Sequence, residues 1–456
     1  MAVFIDQDLC TGCKMCADIC PVDAISGDKG KPQTIDQDIC VMCGQCVQVC
    51  SSFASPYNDE IESIDKKLIA RNMLPSTREP LFAAYYENNT KSVLDILENK
   101  EKFSVVQCAP AVRVALAEDF GMDLGSLTPG KMVAALRQIG FDRVYDTNFS
   151  ADLTIMEEGS ELIERVTKNE RLPMFTSCCP AWVKYMEQTH PEYLDHLSTC
   201  KSPQQMQGSM FKTYGAKFNN KTAKDIASVS IMPCTCKSFE SEREEMNSSG
   251  ERDVDVVLTT RELAYIIKEK NIDFLTLEED VFDLPLGNYS GAGTIFGVTG
   301  GVMEAAIRTG YELILNKPID SVDVTAVRGN KNFSESTIKV GDLELKVAVV
   351  AGLKNVEPIM ESMKNGTCDY HFVEVMTCPE GCISGGGQPK VLLPKHKKLA
   401  YENRISGTYK HDSDSTVRKS HENPDIKKLY KEFLIKPLGH KSHELLHTKY
   451  HSRKEQ

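Results

Sequence analysis

From about residue 81 to residue 390 the chain alternates short apolar runs with longer amphipathic stretches. Val105–Pro110, Met174–Cys178, Val229–Cys234 and Phe372–Cys378 read as buried strands, and Val256–Thr259 and Val347–Val350 add two more. Stretches such as Ser160–Lys168 and Val302–Arg308 read as helices between them. Strands that are apolar throughout, separated by helices, predict an α/β domain with largely parallel sheets. Three of the runs end directly in a cysteine, at Cys178, Cys234 and Cys378. Ligands of open α/β sheets bind beyond the carboxyl ends of the strands, so these cysteines are expected to converge in one crevice.

The N-terminal part is a repeat. Ile5–Cys20 reads IDQDLCTGCKMCADIC and Ile35–Cys50 reads IDQDICVMCGQCVQVC, each a CxxCxxCxxxC unit. Zinc motifs pair two ligands and space the rest widely, whereas three thiols at i, i+3 and i+6 with a distant fourth suit a cuboidal cluster. The first copy, completed by Pro21, resembles the bacterial two-cluster ferredoxin run; the second has Ser51 in place of the proline. In that resemblance the fourth cysteine of each run ligates the other cluster. This implies one [4Fe4S] cluster on Cys10, Cys13, Cys16 and Cys50 and a second on Cys40, Cys43, Cys46 and Cys20. From Ser51 to about Pro80 the chain turns polar, with Pro56, Pro75 and mixed charge around Glu60–Lys67, which predicts a helical connector and a domain boundary.

Composition narrows the class. With 456 residues, 41% of them hydrophobic, the chain can build two or three cored domains. It has no apolar run of about eighteen residues and no basic-then-apolar start, so neither a membrane span nor a leader is expected, and the cytoplasm is the working compartment. Seventeen cysteines clustered at CxxC spacing point to metal ligation under reducing conditions rather than to disulfides. A net charge of −12 argues against a nucleic-acid partner.

Three stretches carry the chemistry: Thr176–Trp182 (TSCCPAW), Met232–Glu240 (MPCTCKSFE) and Glu374–Pro389 (EVMTCPEGCISGGGQP). Cys378 and Cys382 stand four apart just before Gly385–Gly387, whose bare backbone lets the chain approach an object larger than one ion. Together the stretches resemble the active-site signature of [FeFe]-hydrogenases, TSCCPxW, MPCxxKxxE and ExMxCxxGCxxGGGQP, and all three are complete. The resemblance implies a catalytic domain of two lobes with the cofactor between them, behind an α+β ferredoxin domain. It implies Cys179, Cys234, Cys378 and Cys382 as ligands of a [4Fe4S] cube, with Cys382 bridging to a two-iron subcluster that carries CO, CN and a dithiolate amine, the H-cluster. Lys237 would donate to a cyanide nitrogen, and Pro110, Gln204, Met232, Pro233 and Met376 would line the pocket. Read without the resemblance, Lys237 is a surface lysine one helical turn before Glu240.

Only one of the adjacent Cys178 and Cys179 can be a ligand, so the resemblance leaves Cys178 as a free thiol that passes protons, a role suited to titration near neutrality. It continues the proton route through Glu158, Ser198, Glu161 and Arg165. On sequence alone EEGSELIER holds ordinary helix ion pairs. Cys236 and Ala111 are positions where local polarity would tune the cluster, while Cys108, Cys200 and Cys368 read as buried small residues. Gly291, Gly293 and Gly297 have the wrong spacing for a dinucleotide loop and predict close backbone packing. Beyond Pro389 seven of the ten histidines lie scattered in polar sequence, which predicts a helical extension; Ser420–Tyr450 resembles the segment that wraps the catalytic domain of these hydrogenases.

The expected organisation is therefore 1–80 ferredoxin domain and connector, 81–390 catalytic domain, and 391–456 wrapping extension. The expected activity is reversible formation of H2 from two protons and two electrons, with ferredoxin or flavodoxin as carrier and dedicated maturation enzymes building the H-cluster. Two alternatives are an H2-sensing, low-turnover relative, which tends to lose the relay thiol present here as Cys178, and a hydrogenase-like iron–sulfur assembly protein, which lacks the complete motifs.

Overall fold

In a computed structural model that describes residues 2–55, 61–73, 80–329 and 332–453, two four-stranded sheets stand at the centre of the fold. One sheet runs Val256–Thr259, Ile226–Met232, Phe103–Cys108, Arg143–Asp146, and every pairing is parallel. The other runs Phe333–Val340, Leu343–Ala351, Phe372–Met376, Met174–Phe175; its first pair is an antiparallel hairpin and the rest are parallel. The central strands Ile226–Met232 and Phe372–Met376 are buried at every position, as apolar strands covered on both faces must be. The α/β fold with largely parallel sheets in two lobes is thus present.

Differences from the sequence reading have local causes. The strands before Cys178, Cys234 and Cys378 stop at Phe175, Met232 and Met376, because the chain must leave the ladder to aim a cysteine at the crevice. Arg143–Asp146 and Phe333–Val340 are strands too; their charged or alternating sequence hid them, and Phe333–Val340 is an edge strand with one face wet. The stretch Ser160–Lys168 is only the end of a 22-residue helix, Thr147–Lys168, whose start is capped by the Asp146 side chain accepting from the Asn148 amide.

The N-terminal repeat folds as two matching short helices, Met15–Ile19 and Gln45–Val49, each entered through a left-handed residue, Lys14 and Gly44. Its small strands pair partly with residues beyond the connector: Val3–Ile5 with Ala84–Tyr86, and Phe53–Ala54 with Leu81–Phe82. Structurally this unit therefore reaches past residue 80, to Tyr86. The connector holds the helix Ile61–Ala70, pinned by Lys67 and Arg71 to Asp6; Pro56 and Pro75, expected at its ends, lie outside the described residues.

The ferredoxin-like unit is seated on the glycine run of the third motif. Gln48 Nε2 donates to the carbonyls of Gly385, Gly386 and Gln388 at 3.0, 3.2 and 2.8 Å, and Gln45 Nε2 to that of Ser384 at 3.1 Å. From the other side Thr235 donates to the Met42 carbonyl at 2.7 Å. The C-terminal helix Pro394–Asp414 crosses the catalytic lobes, and Asp412 of that helix takes the buried Arg308 in a bidentate pair at 2.8–2.9 Å. A Cβ on Gly291 would strike Asp412, and one on Gly293 the Asn148 carbonyl, so these glycines serve close packing, as expected. Among the described residues no helix is long and apolar enough to cross a membrane.

A Cβ on Gly386 would lie 2.6 Å from the Cys43 carbonyl oxygen and 2.7 Å from the Gly44 Cα, both backbone atoms that cannot swing aside. Gly386→Ala is expected to lower stability by about 1–3 kcal/mol in denaturant unfolding of the cluster-loaded protein. Gly310→Ala, where a Cβ meets nothing within 4 Å in a helix interior, is the control and should raise it slightly.

Candidate metal centre and proton route

Four strand ends supply one cavity. Ala109, Pro110 and Ala111 follow the strand Phe103–Cys108, Cys178 and Cys179 follow Met174–Phe175, Pro233 and Cys234 follow Ile226–Met232, and Thr377 and Cys378 follow Phe372–Met376; Cys382 closes the ring from the next turn. Gln204, Met232, Lys237 and Met376, singled out from the motifs, line the same cavity. Phe296 and Gly297 also border it, and no motif marked Phe296. The lining is almost wholly apolar apart from the thiols, Gln204 and Lys237.

Burial shapes the thiols. It pushes Cys234 and Cys382 up to about 12 and Cys378 well above its usual range, and the neighbouring cysteines add to the effect. Four thiols converging without a disulfide, in a dry cavity with a single lysine, are a donor set that a cationic iron–sulfur core satisfies as thiolates. The residues therefore fit a sulfur-ligated cluster.

The N-terminal cysteines sort into two further groups. Cys10, Cys13, Cys16 and Cys50 line one small cavity. Cys40, Cys43 and Cys46 all feel Cys20, Cys43 and Cys46 also feel Cys40, and Cys46 lies near enough to feel Cys16 of the first group. This is the crossed grouping the repeat implied. Backbone amides of Gln33, Met42, Ala24 and Ala84 donate to Cys10, Cys40, Cys20 and Cys50 at 3.3–3.4 Å. Cys43 is near enough to Cys234 and Cys378 for their charges to interact, so the second group lies next to the central cavity.

Lys237 is buried, yet it also makes the helical-turn pair with Glu240 that a surface lysine makes. Its ammonium donates to the Glu240 carboxylate at 2.9 Å and to the Cys178 carbonyl at 3.0 Å. An ammonium has three donors, so one remains for the cavity. Glu240 is held in turn by Ser202 at 2.8 Å and Gln204 at 3.1 Å, and Ser230 orients Gln204 at 2.7 Å. Burial works against the Lys237 charge, but Glu240 outweighs it and the side chain stays cationic.

Cys178 departs from expectation. Burial, reinforced by Glu158, pushes its thiol well above its usual range, so it is a neutral proton holder rather than a group titrating near pH 7. Behind it, neither oxygen of the buried Glu158 carboxyl has a hydrogen-bond partner. Burial pushes Glu158 up to about 8, with the Glu161 carboxylate raising it further and the Ser198 hydroxyl opposing. Ser198 donates to Glu161 at 3.3 Å, and Glu161 pairs with Arg165 at 2.6 Å. Arg165 goes on to the Leu197 and Asp195 carbonyls at 2.8 and 3.1 Å. Glu161 and Arg165 are thus the i,i+4 ion pair read from the sequence, but a buried one, and Glu158 stands outside it.

Other residues fall into place around this frame. Glu374, the first residue of the third motif, accepts from the Gly300 and Met303 amides at 2.7 Å each and fixes the start of the helix Gly301–Leu315; its signal was the motif position alone. Ala111 borders the cavity and Cys236 is buried beside it. Cys108 and Cys200 are buried as expected, whereas Cys368, in the loop before Phe372–Met376, is only half-buried.

Fold and site together define an iron–sulfur α/β protein carrying a ferredoxin-like unit. The chain matches the family described as "Iron only hydrogenase large subunit, C-terminal domain" over residues 102–386, "Iron hydrogenase small subunit" over 398–453 and "4Fe-4S binding domain" over 3–26. It is 48% identical to the NADP-reducing hydrogenase subunit HndD of Solidesulfovibrio fructosivorans over 79% of this chain, and spans 62% of that relative's length. It is 47% identical to the periplasmic [Fe] hydrogenase large subunit of Nitratidesulfovibrio vulgaris, over 85% of this chain and 86% of that one. A structure of the apo [FeFe]-hydrogenase HydA1 from Chlamydomonas reinhardtii superposes with a TM-score of 0.71 at 41% identity, covering 80% of this chain and 99% of that one. The chain belongs to the iron-only hydrogenase family.

The raised Glu158 makes stability depend on pH. The folded protein keeps this proton up to about 8, while the unfolded chain releases it near 4.3, so between those values folding takes up one proton. The contribution is complete below about 4.3 and is lost as pH rises, at up to about 1.4 kcal/mol per pH unit. Denaturant unfolding of wild type and Glu158→Gln at pH 5.5 and 7.5 is expected to show the variant gaining relative stability at the higher pH.

Proposed function

We propose that this chain is an [FeFe]-hydrogenase that interconverts two protons and two electrons with H2. The observation that carries the reading is one cavity holding four convergent cysteines, a fifth free thiol and a buried cationic lysine, with an unpartnered carboxyl behind the thiol. Cys179, Cys234, Cys378 and Cys382 would hold the [4Fe4S] part of an H-cluster, with Cys382 bridging to the two-iron part. When bound, that group supplies the redox chemistry at which H2 is made or split.

The protein's own work is positioning and proton handling. Lys237, charged and anchored by Glu240, turns its remaining N–H toward the cavity, where it suits an anionic cyanide ligand. Pro110, Pro233, Met232 and Met376 keep water out, and Gln204 holds Lys237 and Glu240 in place through their shared hydrogen bonds. The Cys178 Sγ–H, in the cavity lining, is the first proton holder of the route. Glu158, neutral below about pH 8, is the next holder, and Ser198, Glu161 and Arg165 continue to the surface. Near-neutral affinity at Glu158 suits a group that both takes and gives protons.

Electrons would enter at the group holding Cys13, the exposed cysteine, pass to the group holding Cys43 and from there reach the cube. That order follows from the exposure of the first group and the nearness of the second to Cys234 and Cys378. A ferredoxin or flavodoxin is the carrier in this reading, and dedicated maturation enzymes assemble the two-iron part. The reducing conditions that seventeen unpaired cysteines call for favour the cytoplasm, although the relative from Nitratidesulfovibrio vulgaris carries a periplasmic name.

Cys178→Ala is expected to cut H2 evolution and uptake by about 10²–10⁴, the usual span for a lost proton-transfer group, while iron content and cluster absorbance stay at the wild-type level. Wild-type rates from the fully loaded variant would remove Cys178 from the route.

A further inference from the structure

A second cluster of reactive side chains shares Glu161 with the proton route and adds two groups that the proposed reaction does not use. Glu161, Cys200 and His447 are buried, and their ligating atoms all lie within 4.8 Å of one another. His447 comes from the C-terminal segment, Cys200 from the loop between the turn Pro191–His196 and the helix Pro203–Met210, and Glu161 from the long helix Thr147–Lys168. The Cys200 sulfur is 3.9 Å from Glu161 Oε2.

Two features make this more than a chance meeting. Glu157 accepts from His447 Nε2 at 3.2 Å and is itself locked by the Tyr430 hydroxyl at 2.6 Å and the Leu438 amide at 2.8 Å. A carboxylate on one ring nitrogen fixes the tautomer and leaves the other nitrogen's lone pair free, the arrangement that supports histidine ligands of zinc. That free nitrogen, Nδ1, stands 2.7 Å from Thr199 Oγ, which is also 3.0 Å from Glu161 Oε2. The ring nitrogen and the carboxylate oxygen thus meet at one hydroxyl, which can itself serve as a further ligand, and Glu161 Oε2 also accepts from the Thr199 amide at 3.1 Å and Ser198 at 3.3 Å.

We propose that Glu161, Cys200 and His447 form a binding site for a divalent d¹⁰ cation, zinc first among them. The donor set of one carboxylate oxygen, one thiolate and one imidazole is a zinc set, with the Thr199 hydroxyl or a water as fourth ligand. Zinc bond lengths of about 2.0–2.3 Å put tetrahedral ligands about 3.3–3.8 Å apart, so closure needs shifts on the order of 1 Å from the present separations. Binding releases the Cys200 proton to solvent, and the carboxylate and thiolate then balance the two charges of the ion. Arg165 holds Glu161 Oε1, and a metal would bind Oε2 alongside the Ser198 and Thr199 contacts or in their place. The way in is short: the exposed His443 has its ring 4.5 Å from that of His447. Because Glu161 belongs to the proton route proposed above, the consequence for turnover rests on that reading, while the site itself does not. Zinc there ties up the carboxylate and stops proton passage.

The test is a zinc titration of the anaerobic, fully loaded protein, read by zinc stoichiometry, zinc-edge X-ray absorption and iron content. The expected result is one zinc per chain with a single sulfur among nitrogen and oxygen ligands, iron content unchanged, and H2 turnover inhibited. Cys200→Ala should lose the sulfur, and both it and His447→Gln should bind zinc at least about tenfold more weakly. A shell without sulfur, or a sulfur shell that survives Cys200→Ala because zinc has entered a cluster site, overturns the proposal. Zinc bound with the expected shell but with turnover unaltered keeps the site and removes Glu161 from the proton route.

Discussion

Burying a thiolate without a cation is the constraint on which this structure turns. The central cavity gathers its cysteines at the ends of parallel strands, where water is excluded and ionisation is opposed; Cys234 and Cys382 are pushed up to about 12. In that state the cavity is a set of neutral thiols around an apolar space. A metal–sulfur core reverses the balance by supplying the missing positive charge, as a coordinating metal deprotonates a thiol outright. The strands can present the ligands in advance because neutral thiols are tolerable buried groups. The fold therefore stands ready for a cluster without having to pay for four buried charges.

The ferredoxin-like unit is docked through side-chain amides, bare backbone and two lysines. Gln45 and Gln48 reach carbonyls of the Ser384–Gln388 run, and Gly44 and Gly386 meet with no side chain between them. Lys184 and Lys390 donate to the Cys40 and Cys50 carbonyls at 2.7 and 2.8 Å. These contacts bring Cys43 close to Cys234 and Cys378. Buried ion pairs hold the C-terminal segment: Arg404 takes Glu118 at 2.5–2.8 Å and the Ile383 carbonyl at 2.8 Å, and Asp412 takes Arg308. These pairs fasten the segment matched by the small-subunit family to the segment matched by the large-subunit family, here on one polypeptide. Breaking a buried pair of this kind by removing one partner costs about 3–5 kcal/mol, because the other charge is left unpaired.

Much of this was legible because it is local in sequence. Apolar runs gave the central strands of both sheets, their terminal cysteines gave the crevice, and the repeat gave two cysteine groups with crossed membership. What escaped was non-local or masked by polarity. The edge strand Phe333–Val340 alternates charged residues on its wet face, and the long helix Thr147–Lys168 begins with a polar stretch that blurs its period. Glu374 looks like a polar interruption in a strand until the helix it caps is seen. His447 could not be tied to Glu157 and Glu161 from spacing, since it lies 290 residues beyond Glu157 in the chain. The protonation of Cys178 was misjudged for a related reason: burial in the folded cavity raises it, reinforced by Glu158 from another element.

That misjudgement sharpens the account of proton movement. A thiol titrating near neutrality would be partly ionised and would compete with the ligand cysteines for positive charge in the cavity. A thiol kept neutral by burial and by Glu158 has its proton on the sulfur whenever the cavity is at rest. In the proposed route Glu158, whose oxygens meet only the weak influence of the Ser198 hydroxyl, would have little to break before taking a proton from one side and giving it to the other. Glu161, by contrast, is held by Arg165, Thr199 and Ser198. The proposed route would thus run from a loosely held carboxyl behind Cys178 to an anchored one, both buried, so the first would adjust its geometry and the second would keep the path in register.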